Sequence, residues 1–158
     1  MITSVKMGFS SLLGDFVSNK VLIISASAWA IAQILKVLVV LVQEKRVAWN
    51  YFVTSGGMPS SHTAIVCALA TSIAMIFGVN SVAFSIAVVL AVIVMYDAAG
   101  VRQSVGQQSA IINRLVKGAK LDIEKELREF IGHTPFQVFM GAVVGVLVAV
   151  IWITVGGP

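Results

Sequence analysis

Three stretches of this chain are too apolar and too long to suit water. Val21 to Val42 is 22 residues with a single charge, Lys36. Thr63 to Tyr96 is 34 residues with none, and Phe136 to Val155 is 20 with none. A helix of about 20 residues crosses the hydrocarbon core of a bilayer. Gly78-Val79-Asn80-Ser81 is a tight turn that divides the middle stretch in two. The expected architecture is therefore an all-α integral membrane protein, a single-domain bundle of about four transmembrane helices near residues 21–42, 63–77, 82–96 and 136–155. The two middle spans are short and rich in Ala and Ser, which permits close helix packing.

Composition excludes the alternatives. The 158 residues are 58% hydrophobic and only 11% charged, with mean hydropathy +0.97, which rules out a soluble globular domain. The one cysteine, Cys67, lies in an apolar run, so no intrachain disulfide can form and no cysteine-based metal site is expected. The net charge of +4 does not indicate nucleic acid, because the basic residues form no stripe with interleaved aromatics. Residues 1–19 read as a short helix lying on the bilayer surface, with Val5, Phe9, Leu12, Leu13, Phe16 and Val17 at helical spacing. They lack the ordered regions of a cleavable signal peptide. Trp49 and Tyr51 suit a membrane–water interface.

The chemistry gathers in the polar links. Gly56-Gly57-Met58-Pro59-Ser60-Ser61-His62-Thr63 is a glycine-bearing turn that runs straight into an apolar helix. Pro59 suits a first helical turn, and Ser60 and Ser61 are good N-caps. His62 then sits among backbone N–H groups without partners, a place that attracts anions and phosphate above all. A capped helix start with an interfacial histidine would look the same locally. Gly132-His133-Thr134-Pro135 repeats the pattern before the last span, with Thr134 able to cap and Pro135 able to begin the helix. Lys36 shares a face with Gln33, three residues away, and is roughly 10 Å from the end of its span. It either snorkels to the interface or directs a cation into a polar pocket. Asp97 and Arg102 end the third span as a surface ion pair or as the lining of a polar pocket.

Residues 103–132 are polar and expected to be helical in two pieces. Ile123, Leu127, Phe130 and Ile131 form an apolar face in the second piece, and Glu124/Arg128 and Lys125/Glu129 form solvated i,i+4 pairs.

Four alternating spans bring these motifs to one membrane face. His62, Asp97, Arg102 and His133 fall there, with Lys36 below them, and both termini fall on the other side. The same face carries most of the basic residues, including Lys45, Arg46, Arg102, Arg114 and Lys117. The positive-inside rule makes it the cytoplasmic face of a bacterial inner membrane, or the equivalent face of an organelle.

Pro59-Ser60-Ser61-His62 resembles the central Pro-Ser-Gly-His motif of the type 2 phosphatidic acid phosphatase superfamily, shared by lipid phosphatases, bacterial acid phosphatases and vanadium haloperoxidases. Together with Tyr96-Asp97-Ala98-Ala99-Gly100-Val101-Arg102 and Gly132-His133-Thr134-Pro135, it looks like that superfamily's divergent branch of small membrane proteins. The resemblance covers most of the chain from Ala32 onward. It implies catalysis without a metal or other cofactor, with His133 as the nucleophile on phosphorus and His62 as the general acid. It matches Lys36 to the lysine of the first motif. Arg102, Arg46, Gly57, Ser60 and Ser61 complete the candidate phosphate site. Gln43, Ser61 and Gln137 stand where the superfamily has arginine, glycine and a histidine-orienting aspartate, and Asp97 is the residue here that could take the aspartate's part. Two functions follow as expectations. One is a phosphohydrolase acting on a membrane lipid phosphate or pyrophosphate. The other is a non-catalytic protein that binds an anionic headgroup or a partner. A homo-oligomer is compatible with either.

Overall fold

The computed structural model describes residues 9–44, 57–119, 127 and 132–157. Six α-helices account for most of them: α1 (Phe9–Val17), α2 (Lys20–Glu44), α3 (Ser61–Phe77), α4 (Val82–Tyr96), α5 (Arg102–Gly118) and α6 (Pro135–Gly156). The protein is an all-α integral membrane protein. Helices α2 and α6, and the helix that starts with α4, are long and apolar enough to cross a membrane, and α3 is a shorter apolar helix of 17 residues.

Helix α3 is the centre of the bundle and packs on α2, α4 and α6. Its contact with α6 is made by small residues at four-residue spacing. A Cβ added to Gly141 would collide with the Ser60 carbonyl, and one added to Gly145 with the Ala64 carbonyl. The two backbones are therefore in direct contact, and the helices run parallel from a shared starting end. Lipid offers no hydrophobic force between helices, so such backbone proximity and its dispersion contacts are what hold the pair. Helix α2 runs antiparallel to both. Ile24 and Ala28 near its start join Ala68, Val148, Ala149 and Ile153 in one apolar cluster far from the polar turns. Ala87 and Ala91 are the buried residues of α4, and the Met95 Sδ near its end lies 3.8 Å from Cys67 Sγ near the start of α3.

The third span does not stop at Tyr96. It passes through a π turn, Asp97–Val101, directly into α5, giving 37 continuous helical residues from Val82 to Gly118. At 1.5 Å per residue that is about 55 Å, well beyond the ~30 Å of hydrocarbon, so α5 extends the span into the polar region. The charges at Asp97 and Arg102 mark the exit from the apolar layer, not the end of a helix. On α5 the Asn113 amide grips Leu127 twice: its Nδ2 donates to the Leu127 carbonyl at 2.8 Å, and its Oδ1 accepts the Leu127 N–H at 3.0 Å. On α1, Leu13, Phe16 and Val17 are exposed. Asn19 then caps α2 through the Leu22 N–H at 3.2 Å.

Candidate functional site

The polar end of the bundle is built from caps. Ser60 is the N-cap of α3, its hydroxyl accepting from the Thr63 N–H at 3.4 Å and the Thr63 hydroxyl at 3.1 Å. Pro59 thus lies one residue before the cap and outside the first turn, where the sequence pattern had put it. His62 occupies that first turn. Thr134 caps α6 in a full capping box: its hydroxyl accepts the Gln137 N–H, and Gln137 Oε1 accepts the Thr134 N–H at 3.1 Å. The Ser60 N–H donates to the Gln137 carbonyl at 3.1 Å and ties the two helix starts together.

His133 is placed by the π turn. The Arg102 N–H bonds back to the Asp97 carbonyl, five residues away, where an α-helix would bond it to Ala98. The Ala98 carbonyl instead accepts the His133 N–H at 3.0 Å. Gly132 makes this approach feasible. Its φ of +118° is one that side-chain-bearing residues rarely adopt, and a Cβ there would stand 2.5 Å from the Gln103 nitrogen.

The imidazole of His133 is buried, at 2% exposure. Its Nδ1 lies 3.3 Å from Gln137 Oε1, and its Nε2 is buried without a hydrogen-bond partner among the described residues. Desolvation is the main cause that pushes its pKa down to about 4, Lys36 and His62 adding to it electrostatically and Gln137 opposing. The Gly57 carbonyl also favours the protonated ring, though not at hydrogen-bonding geometry with Nε2. His133 is therefore neutral at physiological pH. His62 is exposed beside it, the ring centroids 6.3 Å apart at 57°.

Lys36 is fully buried, with its aliphatic stem against Gly57, where a Cβ would meet Cγ and Cδ at 3.2 Å. It is near enough to act electrostatically on both histidines, and Arg102 and Asp97 act on His62. Lys36, His62, Asp97, Arg102 and His133 thus meet at one end of the bundle. Asp97 accepts from Arg102 Nε at 2.5 Å, with both side chains partly exposed. The atom that meets His133 Nδ1 belongs to Gln137, not to Asp97. Ser60 and Ser61 are buried, and the Ser60 hydroxyl and N–H are committed to holding the turn. Arg46 lies outside the described residues, as do the ion-paired residues of the second polar piece. Thr63 and Ala98 are the parts that motif reading passes over. Gln137, marked in the sequence only as a departure from the motif aspartate, is also the third residue of the capping box, which the Thr134-x-x-Gln137 spacing signals.

The comparisons with known proteins cover this whole arrangement. The family model described as the Divergent PAP2 family matches residues 17–148, which include Lys36, both histidines, the π turn and Gln137. A protein of Bacillus subtilis (strain 168) described as "Uncharacterized membrane protein YuiD" is 35% identical over 151 residues, covering 87% of this chain and 96% of that protein. No solved structure matches the chain. With its motifs, its membrane fold and its match over most of its length in agreement, this chain belongs to the divergent PAP2 family.

Proposed function

We propose that the protein is a metal-independent phosphohydrolase acting on a lipid phosphate or pyrophosphate at the membrane surface. One observation carries this reading: a buried, neutral His133 whose Nε2 has no hydrogen-bond partner among the described residues lies beside His62 and Lys36, with Arg102 acting in turn on His62. A lone pair held out of water beside cations suits attack on phosphorus. The ring centroids are 6.3 Å apart, so both imidazoles border the same small volume.

In the proposed reaction His133 Nε2 forms a bond to phosphorus as the ester or anhydride P–O bond breaks. His62 gives its proton to the departing oxygen. Water then attacks the phosphohistidine, His62 takes that water's proton, and inorganic phosphate leaves. Lys36 and Arg102 offset charge on the equatorial oxygens, as do N–H groups in the first turn of α3. The exposed position of His62 suits a leaving group whose tail stays in lipid. The concentration of Lys and Arg toward this end supports a cytoplasmic orientation for it.

Phosphate release from phosphatidic acid and from an isoprenyl pyrophosphate, in mixed micelles containing EDTA, tests the reading. The wild type should hydrolyse at least one of them and His133→Gln neither. One feature favours the second reading, a headgroup-binding protein without turnover. Gln137 carries no charge, so it stabilises an imidazolium less than a carboxylate would. Saturable binding of the same lipids without phosphate release would select that reading.

A further inference from the structure

We propose that Asp97 is a positioning residue for Arg102: it grips the guanidinium through Nε and so holds the remaining Nη edge, beside His62, ready for the oxygens of a phosphate group.

The π turn makes this pair. In an α-helix each residue advances about 100°, so side chains five residues apart point about 140° away from each other. Asp97 and Arg102 are five apart. The turn bonds the Arg102 N–H to the Asp97 carbonyl, closes the helix on itself after five residues, and brings the two side chains to one face. There Arg102 Nε donates to Asp97 Oδ2. The same turn leaves the Ala98 carbonyl to the His133 N–H, and Gly132 lies against the Arg102–Gln103 backbone. One departure from α-helical bonding thus fixes the backbone at His133 and the side chain of Arg102 together.

Stability does not account for the pair. Both side chains are partly exposed, and a solvated ion pair contributes little. What the pair changes is the freedom of the arginine. A long side chain loses rotamer entropy when a ligand immobilises it, and one already held loses less. The guanidinium is a planar fork of five N–H donors. Gripping it at Nε leaves the two Nη groups at the end of the fork, and among the described residues Asp97 is the one side chain that bonds it. The Nη edge matches two oxygens of a phosphate.

The pair stands at the site, since both of its members act electrostatically on His62, Arg102 more than Asp97. By charge alone, a carboxylate there would repel an anionic ligand. Asp97 helps the ligand because it acts through Arg102. The anion that Arg102 meets is the one in the phosphate site proposed above, so the inference rests on that site, but it does not require turnover.

The sign of a substitution separates a positioning carboxylate from a merely repelling one. The probe is inorganic vanadate, its affinity measured by calorimetry on the full-length protein in lipid nanodiscs. Arg102→Gln should weaken binding about 10–100-fold, the range of a hydrogen bond to a charged group. Asp97→Ala should weaken it about 2–10-fold, the cost of ordering one long side chain afresh. Asp97→Asn keeps an acceptor for Nε and removes the repelling charge, so it should bind vanadate at least as well as the wild type. In the Arg102→Gln background Asp97→Ala should no longer weaken binding. A loss through misfolding would persist in that background. Unchanged affinity in Arg102→Gln, tighter binding in Asp97→Ala, equal weakening by Asp97→Ala with and without Arg102, or a wild type that binds no vanadate overturns the proposal. The expected affinities in a protein that hydrolyses no lipid phosphate would support the positioning role and contradict the phosphohydrolase reading. Hydrolysis by a protein whose vanadate affinity is indifferent to Asp97→Ala would contradict the positioning role alone.

Discussion

The backbone N–H of His133 donates to the carbonyl of Ala98 at 3.0 Å, inside the π turn that carries the third span out of the apolar layer. That single bond joins the helix start of α6 to a helix that entered the membrane on the other side. It exists because the π turn sends the Arg102 N–H to Asp97 and leaves Ala98 open to another donor. The position of the histidine is thus set by backbone geometry on two separate elements, before any side-chain contact is made.

Gly132 should be intolerant of any side chain. Gly132→Ala must adopt a φ near +118° and place a methyl 2.5 Å from the Gln103 nitrogen. Backbone strain and overpacking together should cost about 2–4 kcal/mol. Denaturation of the detergent-solubilised protein should show a clear drop in midpoint, with loss of any hydrolysis. An unchanged midpoint would mean that the chain before His133 does not dock on the π turn.

Lys36→Met should separate charge from packing. The aliphatic stem against Gly57 is largely retained, so the fold should persist. Affinity for vanadate or tungstate should fall about 10–100-fold, the range of a hydrogen bond to a charged group. The pKa of His133 should rise, because Lys36 is among the groups that hold it down. Calorimetry and histidine NMR check the two effects separately.

Acid should weaken the protein through His133. Its folded pKa of about 4 lies below the ordinary value near 6.5, so the folded state favours the neutral ring. Between those two values the unfolded chain takes up a proton that the folded chain refuses. Stability is therefore lost as pH falls from about 6.5 toward 4, by at most about 1.4 kcal/mol per pH unit. Unfolding midpoints from pH 7 to pH 4.5 should fall less steeply in His133→Gln. Parallel profiles would place His133 in a more solvated environment than the buried one described.

The two histidines should respond differently to the leaving group. His62→Gln removes a general acid, a loss of about 10²–10⁴-fold on an alkyl lipid phosphate. An aryl phosphate such as p-nitrophenyl phosphate departs without a proton and should be hydrolysed far better by that variant. His133→Gln should be inactive on both. Equal fractional losses in both variants on both substrates would contradict the assignment of roles.

Much of this arrangement was readable in the residues. Ser60 and Thr134 announce helix starts through cap chemistry, and four alternating apolar runs carry both starts to the same end. Lys36 could be suspected because a lone charge within a span needs a reason. The continuation of the third span to Gly118 was not readable. Asp97, Arg102 and the glutamines that follow look like a helix ending, when they mark a helix leaving the apolar layer. The π turn was hidden for a different reason. Ala98-Ala99-Gly100 carries no local code for a five-residue bond, and its partner, His133, is 35 residues away. Gln137 was noticed only as a missing carboxylate, and its contact with His133 Nδ1 at 3.3 Å could not be read from that substitution.

If His133 Nε2 is the nucleophile, turnover passes through a phosphohistidine that can be trapped. Wild type and His62→Gln, mixed with p-nitrophenyl phosphate and quenched rapidly under alkaline conditions, should carry acid-labile phosphate on His133, located by peptide mass spectrometry. The amount should be greater in His62→Gln, which lacks the base that activates the hydrolytic water. His133→Gln should carry none. Steady hydrolysis by the wild type with no phosphate on His133 at any quench time, or hydrolysis by His133→Gln at the wild-type rate, would contradict it.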